Sequence, residues 1–259
     1  ERPPVDITIK TPELIDRFST ELKGKQIIKH SLRLENAGQI SELPGFKEGE
    51  WWVQDISASI PVHLFNDVKG KSALDLCAAP GGKTMQLSAA GANVTAVDMS
   101  KVRAAKLKEN LARTSLNANI VISDLFKIKG FFDIIILDAP CSATGTVRRH
   151  PDLPYVKSQA DLKKLSCLQY SMLEHAVSLM KPTTQLVYCT CSLFPQEGEY
   201  QVRKLLNEKH EIRVDKYLPK ELDFLEKYRT EEGGLRLLPI HLAETGGIDG
   251  FYIVKLVKV

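Results

Sequence analysis

Two cysteines close apolar runs and sit in short stretches that packing alone does not require. Asp138-Ala139-Pro140-Cys141-Ser142 follows Phe132-Asp133-Ile134-Ile135-Ile136-Leu137, and Thr190-Cys191-Ser192 follows Gln185-Leu186-Val187-Tyr188-Cys189. In a parallel α/β sheet, ligands and reacting groups gather at the carboxyl ends of the strands. Two strands that both end in a thiol, downstream of a glycine-containing loop, point to thiol chemistry beside a bound cofactor. Cysteine suits that work because it is partly ionised near neutral pH and strongly nucleophilic.

The loop is Cys77-Ala78-Ala79-Pro80-Gly81-Gly82-Lys83. Its small residues let the backbone approach a ligand, and the helix start after it offers N–H donors and a positive dipole end. It fits neither G-x-G-x-x-G nor G-x-x-x-x-G-K-[ST], since the first glycine of each is missing, which argues against a nucleotide triphosphatase. Asp98, Asp124 and Asp138 each close a successive expected strand around one crevice. One such Asp alone could simply cap the next turn. Three together, beside this loop, suit an adenosine whose ribose hydroxyls meet a carboxylate and which bears a positive sulfonium rather than a pyrophosphate.

A sheet is needed to bring these groups together. Residues 72–77, 93–98, 119–124, 133–137 and 185–191 read as strands, alternating with helices near 83–90, 101–115, 159–180 and 197–208. That alternation predicts an α/β fold with a mostly parallel sheet covered on both faces. Late strands near Ile212 and over 251–257 have no comparable helix between them, so an antiparallel edge is expected. Ahead of all this, residues 1–50 read as a small α/β unit. Residues 5–9 alternate as a strand, Thr11-Pro12-Glu13-Leu14 signals a helix start, and residues 43–50 carry the turn residues of a linker. The expected division is 1–50 and 51–259.

The chain has 259 residues, 43% hydrophobic and 26% charged, ordinary values for a globular protein large enough to bury a proper core. A net charge of +3 permits a nucleic-acid partner without demanding one. Apolar runs are too short for a transmembrane helix, and Glu1-Arg2-Pro3-Pro4 does not begin a signal peptide. Five cysteines, an odd number, fit a reducing cytoplasm better than a disulfide framework. Cys189-x-Cys191 lacks further ligands at metal spacing, so no metal is expected. The missing initiator Met suggests a fragment, a processed form or an excised domain.

Taken in order, residues 53–59, 74–83, Val97-Asp98, Ser123-Asp124, 137–151, 187–192 and Asp249-Gly250-Phe251-Tyr252 resemble the RNA 5-cytosine methyltransferases of the Sun/Fmu/Nop2 family, most of all the bacterial enzymes acting on small-subunit 16S ribosomal RNA. The resemblance implies a class I S-adenosylmethionine-dependent methyltransferase, Rossmann-like, with a mostly parallel seven-stranded sheet. It implies S-adenosyl-L-methionine held by Cys77, Ala78, Ala79, Pro80, Gly81, Gly82, Lys83, Asp98, Asp124 and Asp138. It assigns the nucleophile to Cys191 and product release to Cys141. Carbon 5 of cytosine is a poor nucleophile, and a thiolate added at carbon 6 turns the ring into an enamine that pushes electrons onto carbon 5. Asp138 would hold the cytosine amino group and N3, and Lys83 would reach the base or the nucleophile. Cytosine methyltransferases of DNA use the Pro-Cys thiol instead, which would be Cys141 here. Asp-Ala-Pro-Cys offers no ring to stack on a base, so an exocyclic-amine target is disfavoured.

Arg148, Arg149 and His150 follow Cys141 and are expected to contact RNA at the mouth of the site. Lys23, Lys25, Lys29, His30 and Arg33 form a basic group in the N-terminal unit, to which the resemblance gives an RNA-binding role. Lys101, Arg103, Lys106 and Lys108 read as the solvated face of a helix. The resemblance also implies a further helical RNA-binding domain ahead of this point in bacterial relatives, and none is expected within these 259 residues. The expectation is a monomeric cytoplasmic enzyme with RNA as partner. Its rivals are a tRNA-directed relative, a DNA enzyme using Cys141, and a non-catalytic ribosome-assembly factor that only binds RNA.

Overall fold

The structure, a computed structural model, describes residues 3–156 and 158–259. Near the N-terminus, Val5–Ile9 (β1), Lys25–Ile28 (β2), Ser31–Leu34 (β3) and Trp51–Val53 (β4) form an antiparallel sheet in the order β2-β3-β1-β4. A 3-10 turn at Pro12–Leu14 runs into helix α1 (Ile15–Glu21), and Thr11 sits at the cap position without a side-chain capping bond. Ile7, Ile9, Phe18, Leu32, Leu34 and Trp51 make this unit's core. The boundary expected at residue 50 therefore falls inside the sheet, because β4 pairs with β1 through Ile7 and Val53. Three residues are too few to register as a periodic strand. Arg33 is also not free for RNA. It is 2% exposed and grips Asp6 with two parallel bonds of 2.7 and 2.8 Å, while its third nitrogen reaches the Thr245 carbonyl at 2.9 Å. A guanidinium out of water needs such partners. Lys23, Lys25 and Lys29 remain exposed.

After helix α2 (Ile56–His63) the second sheet begins. Its strands are Ser72–Leu76 (β5), Asn93–Asp98 (β6), Asn119–Ile122 (β7), Phe132–Asp138 (β8), Met180–Thr190 (β9), Ile212–Val214 (β10), Leu235–Leu237 (β11) and Phe251–Lys258 (β12). The order is β10-β12-β9-β8-β5-β6-β7, with β11 on β12. Strands β5 to β9 are mutually parallel and the β12 pairings are antiparallel, as the missing late helix implies. Seven strands form the continuous path. The eighth, β11, is again three residues long and carries no pattern of its own.

Helices α3 (Gly82–Ala89), α4 (Lys101–Thr114), α5 (Leu153–Val156), α6 (Gln159–Ser178) and α7 (Glu199–Glu208) complete the fold. The central strands have no polar side because both faces are covered. Ile135, Leu137, Leu186 and Tyr188 pack with Leu173 and Val177 of α6 and Val202 of α7. The alternate residues Ile134, Ile136, Val187 and Cys189 pack with Ile56 and Ile60 of α2 and Leu87 of α3. Among the described residues no helix is long and apolar enough to cross a membrane.

The chain leaves β5 toward β6 and β7, then returns to β8 on the opposite side of β5. This reversal opens a crevice at the carboxyl ends of β5 and β8, where Leu76 pairs with Leu137. One strand further, Asp138 pairs with Cys189, so the two thiol-bearing loops leave adjacent strand tips side by side.

Candidate active site

The loop after β5 is shaped by its small residues. Gly81 caps α3 with φ of 109°, a left-handed conformation, and a Cβ there would lie 2.4 Å from Leu107 Cδ1. No other residue type meets both demands. Asp98, at the end of β6, is buried beneath this turn: it accepts from Ala79 N–H at 3.1 Å and Ser100 N–H at 2.9 Å. Ala78, Ala79, Pro80, Gly82 and Lys83 line a cavity of about 450 Å³, together with Asp75 and Asp138. Cys77 bends away with φ of 64°, and burial, Asp138 and Asp98 push its thiol up to about 12, which leaves it inert.

Asp55, Asp75, Asp138, Lys83, Lys106 and Arg113 are the ionisable residues that line the cavity. Lys83 Nζ donates to Asp138 Oδ2 at 2.8 Å. Burial alone would lower the Lys83 ammonium, but Asp138 and Asp75 outweigh it and raise it above its ordinary value, so it stays charged. Asp75 is fully buried, accepts from Thr84 Oγ1 at 2.5 Å through Oδ2, and leaves Oδ1 without a partner. Burial pushes this carboxyl up to about 7, helped by the neighbouring Asp138 and Asp98 charges. A cation in the cavity would lower it again.

The two thiols lie together. Cys141 Sγ and Cys191 Sγ are 3.4 Å apart, both half-buried and unbridged. The hydrogen bond to Cys191, burial and the Cys191 charge all push Cys141 well above an ordinary thiol. Cys141 therefore keeps its proton. Cys189 is buried in the core, its Sγ 3.7 Å from Asp138 Oδ1, and burial pushes it up as well. Asp124 is not brought into this group. Its strand stops at Ile122, and its exposed carboxylate caps the turn Leu125–Lys127 by accepting from Phe126 N–H at 3.1 Å. For Asp124 the ordinary capping role prevails.

The basic stretch after Cys141 is turned inward, which corrects the expectation of RNA contacts. Arg148 donates to Asp249 Oδ1 at 2.6 Å, Asp55 Oδ2 at 2.8 Å and the Gly246 carbonyl at 2.8 Å. Arg149 donates to the same Asp55 oxygen at 2.9 Å and to Asp249 Oδ2 at 3.1 Å. Asp55 and Asp249 are almost fully buried, and unpaired carboxylates there would be costly, so they claim the guanidiniums. Burial and the facing Asp55 raise Asp249, whereas Ser57 and the two arginines outweigh burial at Asp55 and lower it. His150 alone of the three is exposed. Arg148→Ala should destabilise the fold by about 3–5 kcal/mol, as loss of one partner of a buried ion pair does. Denaturant unfolding would read this, and a stability change under about 0.5 kcal/mol would show the cluster to be idle.

One residue of the site went unread in the sequence. Glu197 looks like the start of a helix, yet α7 begins at Glu199 and Glu197 closes the turn Pro195–Glu197, wholly buried between the thiol loops. The available signal was the matching serine after each cysteine, Ser142 and Ser192, both of which bond to it.

Comparison with known proteins finds relatives of the whole chain. The chain is 37% identical over 250 residues to Ribosomal RNA small subunit methyltransferase B of Erwinia tasmaniensis, covering 92% of this chain and 55% of that protein. It is also 37% identical over 243 residues to the protein of the same name from Pasteurella multocida, covering 88% and 52%. The chain spans about half the length of the curated relatives it matches. A methyltransferase homolog protein from Pyrococcus horikoshii superposes with a TM-score of 0.81 at 25% identity, over 100% of this chain and 88% of that one. NSun6 from Pyrococcus horikoshii with SFG shares the fold at a TM-score of 0.84 and 17% identity, over 100% and 92%. The family model described as 16S rRNA methyltransferase RsmB/F matches residues 62–257, and the chain belongs to that family.

Proposed function

We propose that the protein is an S-adenosylmethionine-dependent RNA cytosine-C5 methyltransferase acting on 16S ribosomal RNA, as the names of its relatives suggest. The observation that carries this reading is the pair of thiols 3.4 Å apart at adjacent strand tips, beside a carboxylate-lined cavity. The cavity fits the cofactor: it walls a small-residue loop, and the buried Asp75 oxygen without a partner favours a cationic ligand. Ala78, Ala79, Pro80, Gly82, Asp75 and Asp138 would hold it, with Asp98 bracing the loop rather than lining the cavity. When bound, S-adenosylmethionine supplies an electrophilic methyl group.

Cys191 adds as thiolate to carbon 6 of the cytosine, and the ring's electrons move toward carbon 5. Asp138 accepts from the exocyclic amino group, and the Lys83 ammonium beside it opposes the negative charge that builds on the ring during addition. After methyl transfer a base removes the proton on carbon 5, and Cys141, which has kept its own proton until then, gives it to the departing Cys191 sulfur. Exposed Lys23, Lys25 and Lys29 support an RNA-contacting role for the N-terminal unit. Both thiols and the cavity come from one chain, so the proposed chemistry needs no residue from a second copy, and the reading is of a monomeric enzyme. The cysteines are free, which supports a cytoplasmic setting.

The test is transfer of labelled methyl from S-adenosylmethionine to small-subunit ribosomal RNA, transfer RNA and duplex DNA, followed by bisulfite sequencing. A single protected cytosine in the small-subunit RNA is the expected result. Label in transfer RNA alone would move the reading to that substrate. Tight RNA binding with no label anywhere would leave an assembly factor.

A further inference from the structure

Each thiol is followed by a serine, and one buried carboxylate takes both. Glu197 Oε1 accepts from Ser142 N–H at 2.9 Å and from Gln169 Nε2 at 2.9 Å. Its Oε2 accepts from Ser142 Oγ at 2.5 Å and from Ser192 Oγ. Gln169 uses the same nitrogen to reach the Pro140 carbonyl at 2.8 Å. The Glu197 main-chain carbonyl accepts from Tyr188 Oη at 2.8 Å and Thr190 Oγ1 at 3.2 Å. The residues on both sides of Cys141 and on both sides of Cys191 are thus tied to Glu197, three of them directly and Pro140 through Gln169.

Burying a carboxylate costs free energy unless its lone pairs are filled, and four donors on two oxygens fill them. Well-packed apolar residues would hold two loops together at least as firmly. What hydrogen bonds add is direction: each fixes where a loop sits, not only that it is packed. The Glu197 charge also adds to the causes that keep Cys141 protonated.

We infer that Glu197 is the positioning residue of the thiol pair: it holds Cys141 against Cys191 at proton-transfer distance, and so governs release of the methylated product rather than binding of RNA or cofactor. The consequence for release rests on the functional reading above, whereas the alignment of the sulfurs does not.

Glu197→Gln keeps the volume and the main-chain carbonyl but turns one acceptor oxygen into a donor. Ser142→Ala, a milder second variant, removes the hydroxyl's bonds to Glu197, Thr144 and Ser192 but leaves the Ser142 N–H and the other donors on Glu197 in place. For Glu197→Gln, kcat for methyl transfer should fall about 10-fold or more while KM for RNA stays within about twofold, the pattern expected when a reacting group is misplaced by a fraction of an ångström. Protein–RNA adduct should accumulate in the same reactions. Sulfur alignment can be read in the full chain without RNA or cofactor by using diamide. This diazene takes one hydrogen from each of Cys141 and Cys191, is reduced to the hydrazine, and leaves a disulfide, followed by intact mass. Disulfide formation should slow about fivefold or more in Glu197→Gln and less in Ser142→Ala. Equal diamide rates in folded wild type and both variants would overturn the inference, and so would a raised KM with kcat intact. If the wild type transfers no methyl group, the functional reading fails, and the diamide rates still decide whether Glu197 aligns the sulfurs.

Discussion

Cys191→Ala will lower kcat for RNA methylation by at least about 10⁴-fold, roughly 5.4 kcal/mol of lost barrier lowering, the scale seen when a covalent nucleophile is removed. The reason is electronic. Without a sulfur on carbon 6 the cytosine ring has no enamine, and carbon 5 stays too electron-poor to take a methyl group. Cofactor affinity should be unaffected, because Cys191 is not among the residues that line the cavity. Methyl-transfer assays with calorimetric cofactor titration separate the two effects. The fold should survive, since Cys191 is half-buried at a strand tip and Ala removes one sulfur atom. Wild-type turnover in Cys191→Ala would remove it from the attacking role and leave Cys141, the partner 3.4 Å away, as nucleophile.

Much of this architecture was legible because it rests on local patterns. Ile134-Ile135-Ile136-Leu137 has no polar side, so a strand covered on both faces follows from the residues alone. The antiparallel edge followed from the missing helix before β12, and the thiols could be placed because each ends such a run. Pairings between distant residues carry no local trace. Arg148 meets Asp249 and Asp55 across 101 and 93 positions, and a basic stretch that reads as an RNA contact becomes an internal brace. Asp98 and Asp124 look alike as strand-ending acids. One folds under the loop after β5, whereas the other lies just past a strand that stops two residues early and caps a turn. Glu197 escaped notice because its partners lie 55, 28 and 5 positions away and its own neighbours mimic a helix start.

The sharpest separation between the thiols comes from removing the other one. After methyl transfer the proton on carbon 5 leaves to a base, its bonding pair restores the ring double bond, and the carbon 6–sulfur bond breaks with its electrons on Cys191. A thiol that holds its proton at 3.4 Å can neutralise that sulfur as it departs, and Cys141 is held protonated by the same contact. Cys141→Ala leaves addition and methyl transfer possible but slows release. A denaturant-resistant, nuclease-sensitive protein–RNA band should therefore rise about 10-fold or more over wild type, in keeping with the usual worth of a positioned acid. The band should vanish in the Cys141→Ala/Cys191→Ala double variant, because the bond it reports is made by Cys191. The DNA-type order of roles gives the opposite pattern: no adduct and no product from Cys141→Ala, with trapped RNA on Cys191→Ala instead. A wild-type level of adduct and normal turnover in Cys141→Ala would mean that water, not the neighbouring thiol, supplies the proton, and the 3.4 Å contact would then have no part in release.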